Sequence, residues 1–238
     1  MTGFTPLPGT RARRRVVLMR HGMVAYYDEA GRPLNPKTVP LTEAGRAQVR
    51  ASAEALAGTP FDRILCSGLP RTRETAEIVA AGRSVAVEDD PAFLELRAGP
   101  YRLIPRSERE AAYVYGLEGA HRAGARFAGG DAFAEVQARV VAALERLLLE
   151  PGWSQLLLVA HDGVNRLLLS WACGAGLAAA AAFEQDYAAF NLIDFDVEDG
   201  RVTRRLVRAA NVTPHCIAKA GVFSTSFEEV FRPLLVLE

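Results

Sequence analysis

Short apolar runs alternate with helical patterns along this chain, and this alternation limits its fold more than any other feature. The run at 16–19 (VVLM) is followed by helical periodicity over 42–58 and then by a second apolar run at 61–67. A short run without polar alternation is typical of a strand buried on both faces. Strand, helix and strand in succession predict a βαβ unit, and therefore a parallel sheet covered by helices.

The predicted helices have suitable boundary residues. Thr42 is a good N-cap for the first helix, and Gly58 follows its end. Pro70 lies in the first turn of the second helix, where its missing N–H costs nothing. The same reasoning predicts further elements: a strand at 84–89, a helix at 132–150, a strand at 155–160 and a helix at 164–176.

The remaining segments depart from this pattern. Residues 190–210 alternate around an Asp-Gly pair, which predicts a hairpin and an antiparallel edge strand. Weak periodicity over 91–130 indicates a lid-like insertion, and residues 1–14 indicate a loose N-terminal tail. We therefore predict one domain over 1–238 with an α/β fold. It is a three-layer α/β/α sandwich around a mostly parallel sheet with an antiparallel edge strand.

Charge and cysteine content exclude several classes of protein. The 28 basic residues balance the 28 acidic ones, so no overall field favours nucleic acid or an anionic membrane. Cys66, Cys173 and Cys216 lie far apart and suggest neither a disulfide framework nor a zinc site. No apolar segment has the length and character of a membrane span. We expect a cytoplasmic protein, and the sequence leaves homodimer formation open.

Polar residues stand where the predicted strands end. Arg20 and His21 directly follow the first apolar run, and His161 directly follows the strand at 155–160. Ligands of open parallel sheets bind beyond the carboxyl ends of the strands, so these residues lie where an active site is expected. Glu95, in the insertion, adds a carboxylate that could serve the same site.

One predicted helix begins with residues that oppose its dipole. Arg71 and Arg73 lie in its first turn, where each cation costs about 0.3–1 kcal/mol. A bound phosphate would reverse that sign, because helix N-termini attract anions. The backbone at Gly163, where the helix after His161 starts, offers similar donors. This conflict predicts a phosphate site that includes Arg71.

Three segments carry a longer pattern: LMRHG at 18–22, CSGLPRTRETAEI at 66–78 and LVAHDG at 158–163. Together they resemble the histidine phosphatase superfamily, a phosphoglycerate mutase-like group with an RHG motif that includes many phosphatases. The tripeptide RHG alone recurs by chance. After an apolar strand, and with both later segments, it is specific. The resemblance spans roughly residues 15–215.

The resemblance implies a role for each polar residue. His21 would be the nucleophile that takes the phosphoryl group, and Arg20, Arg71 and His161 would bind the phosphate, with the Gly163 backbone as a further donor. The chemistry agrees, because an imidazole with a pKa of roughly 6.5 is a competent nucleophile near neutral pH. A guanidinium also matches phosphate oxygens with two parallel N–H groups.

The resemblance assigns the general acid less sharply. Glu95 would protonate the leaving alkoxide and so complete the catalytic set with His21 and His161. The alternative acids are Glu88, Asp89 and Asp90, which precede the insertion, and Glu108 and Glu110 within it.

The sequence also departs from the family pattern. Met23 and Val24 follow RHG where Glu-Thr is frequent, and Tyr27 stands near the position of an Asn. This removes a usual phosphate contact and leaves the substrate class open. Asp162 occupies a place where Gly is common, and it would either tune His161 or cap the following helix.

These residues predict a phosphomonoester hydrolase that works through a phosphohistidine on His21, acts on a small-molecule phosphate ester, and needs neither metal nor cofactor. Two alternatives remain open: a phosphoglycerate mutase-type phosphotransferase, and a module that binds a phosphorylated ligand without turnover. Six arginines against three glutamates between 97 and 126 either recognise a polyanionic substrate or form a solvated face.

Overall fold

The computed structural model describes residues 12–236, and a six-stranded mixed sheet lies at its centre. The strands are β1 (Ala12–Arg20), β2 (Arg63–Cys66), β3 (Val87–Asp89), β4 (Gln155–Ala160), β5 (Phe190–Glu198) and β6 (Arg201–Val212). Their order across the sheet is β3-β2-β4-β1-β5-β6. Neighbouring strands from β3 to β1 are parallel, whereas β5 is antiparallel to both β1 and β6. The predicted α/β fold with an antiparallel edge is confirmed.

Helices cover both faces of this sheet. They are α1 (Glu43–Ala55), α2 (Pro70–Ala80), α3 (Arg109–Tyr113), α4 (Phe133–Leu149), α5 (Asp162–Ala172) and α6 (Ser226–Val236). One face packs against α1 and α2, and the other packs against α4 and α5. The predicted three-layer arrangement follows from the apolar strands, which are buried on both sides.

The central strand β1 shows how the two cores form. Val16 and Leu18 point into the core shared with α4 and α5, while Val17 and Met19 point into the core shared with α1 and α2. All four are at most 1% exposed, and burying each such side chain contributes about 1.5–3 kcal/mol.

Two glycines allow α1 to approach the loop that follows β1. A Cβ atom on Gly45 would lie 2.2 Å from the Met23 carbonyl oxygen, and one on Gly22 would lie 2.7 Å from the Gly45 oxygen. Thr42 caps this helix as predicted, since its hydroxyl accepts a 3.0 Å hydrogen bond from the Gly45 N–H. The start of α1 is thus fixed against the end of β1.

Residues 91–130, which the sequence predicts to be a lid-like insertion, contain α3 and four single turns of 3₁₀ helix. Phe93, Tyr113 and Phe127 from this segment are buried in the core that α4 and α5 share with the sheet. These aromatic side chains anchor the insertion to the sandwich.

Two expectations need correction. The predicted tail at 1–14 is wrong for residues 12–14, which belong to β1, and residues 1–11 lie outside the described residues. The strand extends because Arg13 pairs with Asp196 of β5 at 2.6 Å and Arg14 lies 4.7 Å from the Trp153 ring. The strand predicted at 84–89 is shorter in the structure, where only Val87–Asp89 form a strand, β3.

The sequence reasoning also missed α6. Its start carries a capping box: Thr225 N–H donates to the Glu228 carboxylate at 2.6 Å, and Glu228 N–H donates to the Thr225 hydroxyl at 3.2 Å. Pro233 inside the helix weakens its pattern. Between residues 12 and 236 no helix combines the length and apolar character that crossing a membrane requires.

Candidate active site

Two histidines meet at the carboxyl edge of the sheet. His21 directly follows β1 and His161 directly follows β4, and these strands are parallel neighbours with Arg20 opposite Ala160. The ring centroids lie 5.3 Å apart, and both side chains are almost fully buried. The structure therefore brings together two of the residues that the sequence analysis placed at strand ends.

Arg71, in the first turn of α2, lies between the two imidazoles. Its Nε donates to His21 Nε2 at 3.2 Å, its Nη2 contacts His161 Nδ1 at 3.3 Å, and its Nη1 donates to the Pro36 carbonyl. His21 Nδ1 lies 2.8 Å from the Gly22 carbonyl, which can only accept a hydrogen bond. The proton is therefore on Nδ1, and the lone pair of Nε2 faces Arg71.

Hydrogen bonds also fix the proton on His161. Because Arg71 can only donate, His161 Nδ1 must accept, and Nε2–H donates to Ser67 Oγ at 2.8 Å. The Ser67 hydroxyl then donates to Thr72 Oγ1 at 3.0 Å, and the Thr72 hydroxyl donates to the Leu69 carbonyl at 2.8 Å. Ser67 and Thr72 belong to the segment that resembles the family, but the sequence reasoning gave them no role.

Both imidazoles are neutral in this environment. Burial lowers the pKa of His21 well below its usual value, and the charges of Arg71 and Arg20 add to the effect. Burial, Arg71 and Arg20 likewise lower the pKa of His161. A bound phosphate dianion would act in the opposite direction on His161, because an anion favours the charged imidazole.

Arg20 has a buried N–H donor, on Nε, that is free to bind an anion. Its Nη1 donates to the Gln185 carbonyl at 2.5 Å and pairs with Asp162 at 3.1 Å, and its guanidinium lies 3.9 Å from the Tyr187 ring centroid. Among residues 12–236, its buried Nε has no hydrogen-bond partner. A buried donor without an acceptor lowers the stability of the fold, and a bound ligand that accepts its hydrogen bond removes that loss.

The structure brings Glu95 to the same edge, at the start of α5. Its carboxylate accepts hydrogen bonds from the N–H groups of Gly163 and Val164, both at 3.2 Å. Burial, followed by the charge of Asp162, raises the pKa of Glu95, which favours the protonated form that a general acid needs. Glu108 and Glu110 are exposed.

The expectation for Gly163 changes as a result. We predicted its N–H as a phosphate donor, but the structure gives that N–H to the carboxylate of Glu95. Gly163 still has a steric reason to be glycine, since a Cβ atom there would lie 2.1 Å from Leu96 Cδ1.

Asp162 does neither of the two things its position suggested. Its carboxylate pairs with Arg20 and also accepts from Arg166 Nε and the Ser226 hydroxyl, both at 2.5 Å. Arg166 also pairs with the half-buried Glu184 at 2.8 Å, so a chain of ion pairs runs from Arg20 through Asp162 and Arg166 to Glu184. Asp162 supports the first arginine and ties α6 to the site.

Tyr26, and not Tyr27, faces the candidate site. The Tyr27 hydroxyl donates to the Val230 carbonyl of α6 at 3.1 Å, whereas the Tyr26 ring centroid lies 5.9 Å from Arg71 Cζ. The sequence reasoning also missed Tyr187, whose ring centroid lies 5.9 Å from that of His21. A tyrosine in an irregular segment carries no sequence signal that separates these two orientations.

No group of three or more His, Cys, Asp or Glu side chains suited to a metal ion occurs within residues 12–236. The groups that converge here are the guanidinium groups of Arg20 and Arg71, the carboxyl groups of Glu95 and Asp162, and two neutral imidazoles. This set is suited to holding a phosphoryl group by hydrogen bonds while a ring nitrogen attacks it.

The comparison with known families decides the assignment. The model of the histidine phosphatase superfamily (branch 1) matches residues 16–207, a span that includes Arg20, His21, Arg71 and His161. The chain belongs to the histidine phosphatase superfamily.

Curated relatives of this histidine phosphatase superfamily member include phosphatases and mutases. A protein named adenosylcobalamin/alpha-ribazole phosphatase, from Salmonella typhimurium, is 32% identical over 158 residues, which cover 66% of this chain and 78% of the relative. A protein named Probable phosphoglycerate mutase GpmB, from Yersinia pestis, is 28% identical over 208 residues, which cover 84% of this chain and 94% of the relative.

Solved structures share the fold of this histidine phosphatase superfamily member. The structure named mycobacterial hydrolase 1 has a TM-score of 0.70 at 24% identity, covering 84% of this chain and 98% of that chain. At this identity the likeness is one of fold.

Proposed function

We propose that this chain is a phosphomonoester hydrolase that forms a covalent phosphohistidine on His21. The observation that carries the proposal is the fixed tautomer of His21, whose Nε2 lone pair lies 3.2 Å from Arg71 Nε in a buried site. A phosphoryl group held by that guanidinium would meet an unprotonated nitrogen. The likeness to a relative named as a phosphatase supports the same conclusion.

The substrate phosphate would take over hydrogen bonds that the site side chains make with one another. Arg20 offers its unpaired Nε, and Arg71 would turn its N–H groups from the imidazoles to phosphate oxygens. His161 would gain a proton on Nδ1 as the dianion binds and would become a third donor. Each of these contacts strengthens as charge spreads over the phosphoryl oxygens in the transition state.

The reaction then has two steps. His21 Nε2 forms a bond to phosphorus while the ester P–O bond breaks, and Glu95 gives its proton to the leaving oxygen. Water next attacks the phosphohistidine, giving its proton to the Glu95 carboxylate and returning His21 to the neutral form. Inorganic phosphate and the alcohol are the products.

A phosphoglycerate mutase would use the same side chains but return the phosphoryl group to a hydroxyl of the substrate. The likeness to the Yersinia protein, which covers 84% of this chain, favours this second candidate. The two functions differ in the acceptor of the second step, which is water in one and a hydroxyl in the other.

Trapping of the intermediate tests the proposal. Wild type and His21→Ala are mixed with a ³²P-labelled ester in buffer that contains a chelator, quenched in base, and examined for acid-labile label and for free phosphate. We expect labelled wild type, release of inorganic phosphate and no label on His21→Ala. Label that moves only to a second substrate hydroxyl would show a mutase. Phosphate binding with neither label nor turnover would indicate a binding module and would refute the proposal.

A further inference from the structure

A cavity of about 240 Å³ opens beside the candidate phosphate site, between the loop after β1 and helix α6. Its walls are formed by Met23, Val24, Ala25, Tyr26, Tyr27, Tyr187, Glu229 and Val230. Two of these tyrosines lie next to the site arginines. The Tyr187 ring centroid lies 3.9 Å from Arg20 Cζ, and the Tyr26 ring centroid lies 5.9 Å from Arg71 Cζ. An ester whose phosphate is bound by both arginines would therefore have this cavity next to its alcohol group.

The walls of the cavity are aromatic, apolar and acidic. Three tyrosines provide flat faces, and Glu229 is the one charged residue among the eight that line the cavity. The six arginines between 97 and 126 do not line it. Because the phosphate would occupy Arg20 and Arg71, an alcohol group that carries a carboxylate would meet a like charge and no cation among the residues that line the cavity. A neutral ring or an alkylammonium would meet tyrosine faces and a carboxylate.

Contacts of α6 place Glu229 at the cavity. Helix α6 is attached on one side by the hydrogen bond from Tyr27 to the Val230 carbonyl, and at its start by the Ser226 hydroxyl on Asp162. The charge of Glu229 also acts within the site: burial raises its pKa, and the charge of Arg20 opposes that rise. The helix that carries Glu229 is thus tied to the buried carboxylate that pairs with Arg20.

We propose that this cavity binds the alcohol part of the substrate and that Glu229 selects phosphate monoesters of neutral or cationic alcohols over those that carry a carboxylate. The inference rests on the proposed phosphomonoesterase activity and adds its substrate class. It places phosphoglycerate-like esters among the poor substrates and aryl or alkylammonium esters among the good ones.

The test compares kcat/KM for phenyl phosphate, phosphocholine and 3-phosphoglycerate in wild type, Glu229→Gln and Glu229→Lys. Because the three leaving groups differ in reactivity, the quantity compared between proteins is the ratio of two esters. We expect Glu229→Lys to raise the ratio of 3-phosphoglycerate to phenyl phosphate by about fivefold or more and to lower that of phosphocholine, with Glu229→Gln between.

Glu54→Gln is the matched control, because Glu54 is an exposed carboxylate on α1 that does not line the cavity. It should leave both ratios unchanged. Turnover of the esters with ratios that stay within twofold in both Glu229 variants would overturn this inference and leave the proposed activity standing. Absence of turnover and of phosphohistidine in wild type would overturn the proposed function and this inference together.

Discussion

At the scale of single residues, the guanidinium of Arg71 determines which ring nitrogens of the two histidines carry a proton. Arg71 donates to His21 and contacts His161, so both facing nitrogens must be unprotonated, and burial stabilises the same neutral forms. The side chain that would bind phosphate thereby also keeps the nucleophile available before the substrate arrives. Glu95 is the complementary case, since burial favours its protonated form.

The role of Glu95 as general acid leads to a prediction about leaving groups. Glu95→Gln should slow hydrolysis of an alkyl phosphate by about 10²–10⁴-fold, and that of 4-nitrophenyl phosphate much less, because an activated leaving group needs no proton. Steady-state kcat on both esters measures the difference.

Arg71→Ala is the control for this experiment. It should slow both esters about equally, since it removes stabilisation of the phosphoryl group common to them. The comparison of two esters also cancels any structural effect of Glu95→Gln on the Gly163 and Val164 hydrogen bonds. Equal slowing of both esters by Glu95→Gln would move the acid to another carboxylate, with Glu108 and Glu110 next.

At the scale of elements, α6 is the helix that completes the site. It packs on the insertion through contacts with α3, and the rings of Phe227 and Phe231 pack at a tilt against that of Phe127. Its first residue, Ser226, donates to the buried Asp162 carboxylate that also pairs with Arg20. A helix far along the chain thus supports an arginine at the end of the first strand.

The contact between Ser226 and Asp162 should contribute measurably to stability. Ser226→Ala leaves a buried carboxylate with one donor fewer, so we expect the free energy of unfolding to fall by about 1.5–3 kcal/mol. Urea titration of wild type and variant measures it. Ser224→Ala, which removes a hydroxyl two residues earlier, should change stability by less than about 0.5 kcal/mol. A loss for Ser226→Ala no larger than for this control would show that the hydrogen bond does not hold α6.

At the scale of the whole molecule, the sandwich buries titratable groups at the carboxyl edge of its sheet. His21 and His161 are buried and uncharged there, and burial also lowers the pKa of His215. Folding therefore excludes protons that the unfolded chain would bind. Stability of the entire domain is linked to pH through these side chains.

We expect stability to fall as the pH drops below about 6.5, the usual histidine pKa in an unfolded chain. The folded-state pKa values are lowered, so the contribution is fully present above that pH and is lost as the pH falls towards them. Each buried histidine adds at most about 1.4 kcal/mol per pH unit. Urea unfolding between pH 7.5 and 5.5 measures the slope.

Substitutions show which histidines cause the pH dependence of the free energy of unfolding. His161→Gln should reduce the slope, whereas His121→Gln should not, because His121 is exposed. A free energy of unfolding that stays constant over this range would contradict the neutral assignment of the buried pair.

The sequence by itself determined most of the succession of strands and helices, and it placed Arg20, His21 and His161 at strand ends and Arg71 at the start of a helix. The tertiary structure then placed β4 next to β1. Periodicity and strand ends are local properties, and parallel neighbouring strands necessarily bring their carboxyl ends to one edge. The capping box of α6 was equally local and was open to the same reasoning.

Only the tertiary structure decided which partners these residues take. Glu95 lies 68 positions before Gly163, and Ser226 lies 64 positions after Asp162, yet each pair forms a hydrogen bond. Such contacts depend on how the insertion and α6 pack, and no local pattern encodes the packing of irregular segments. For the same reason the fold, and not the sequence, turned Tyr26 towards the arginines and Tyr27 towards α6.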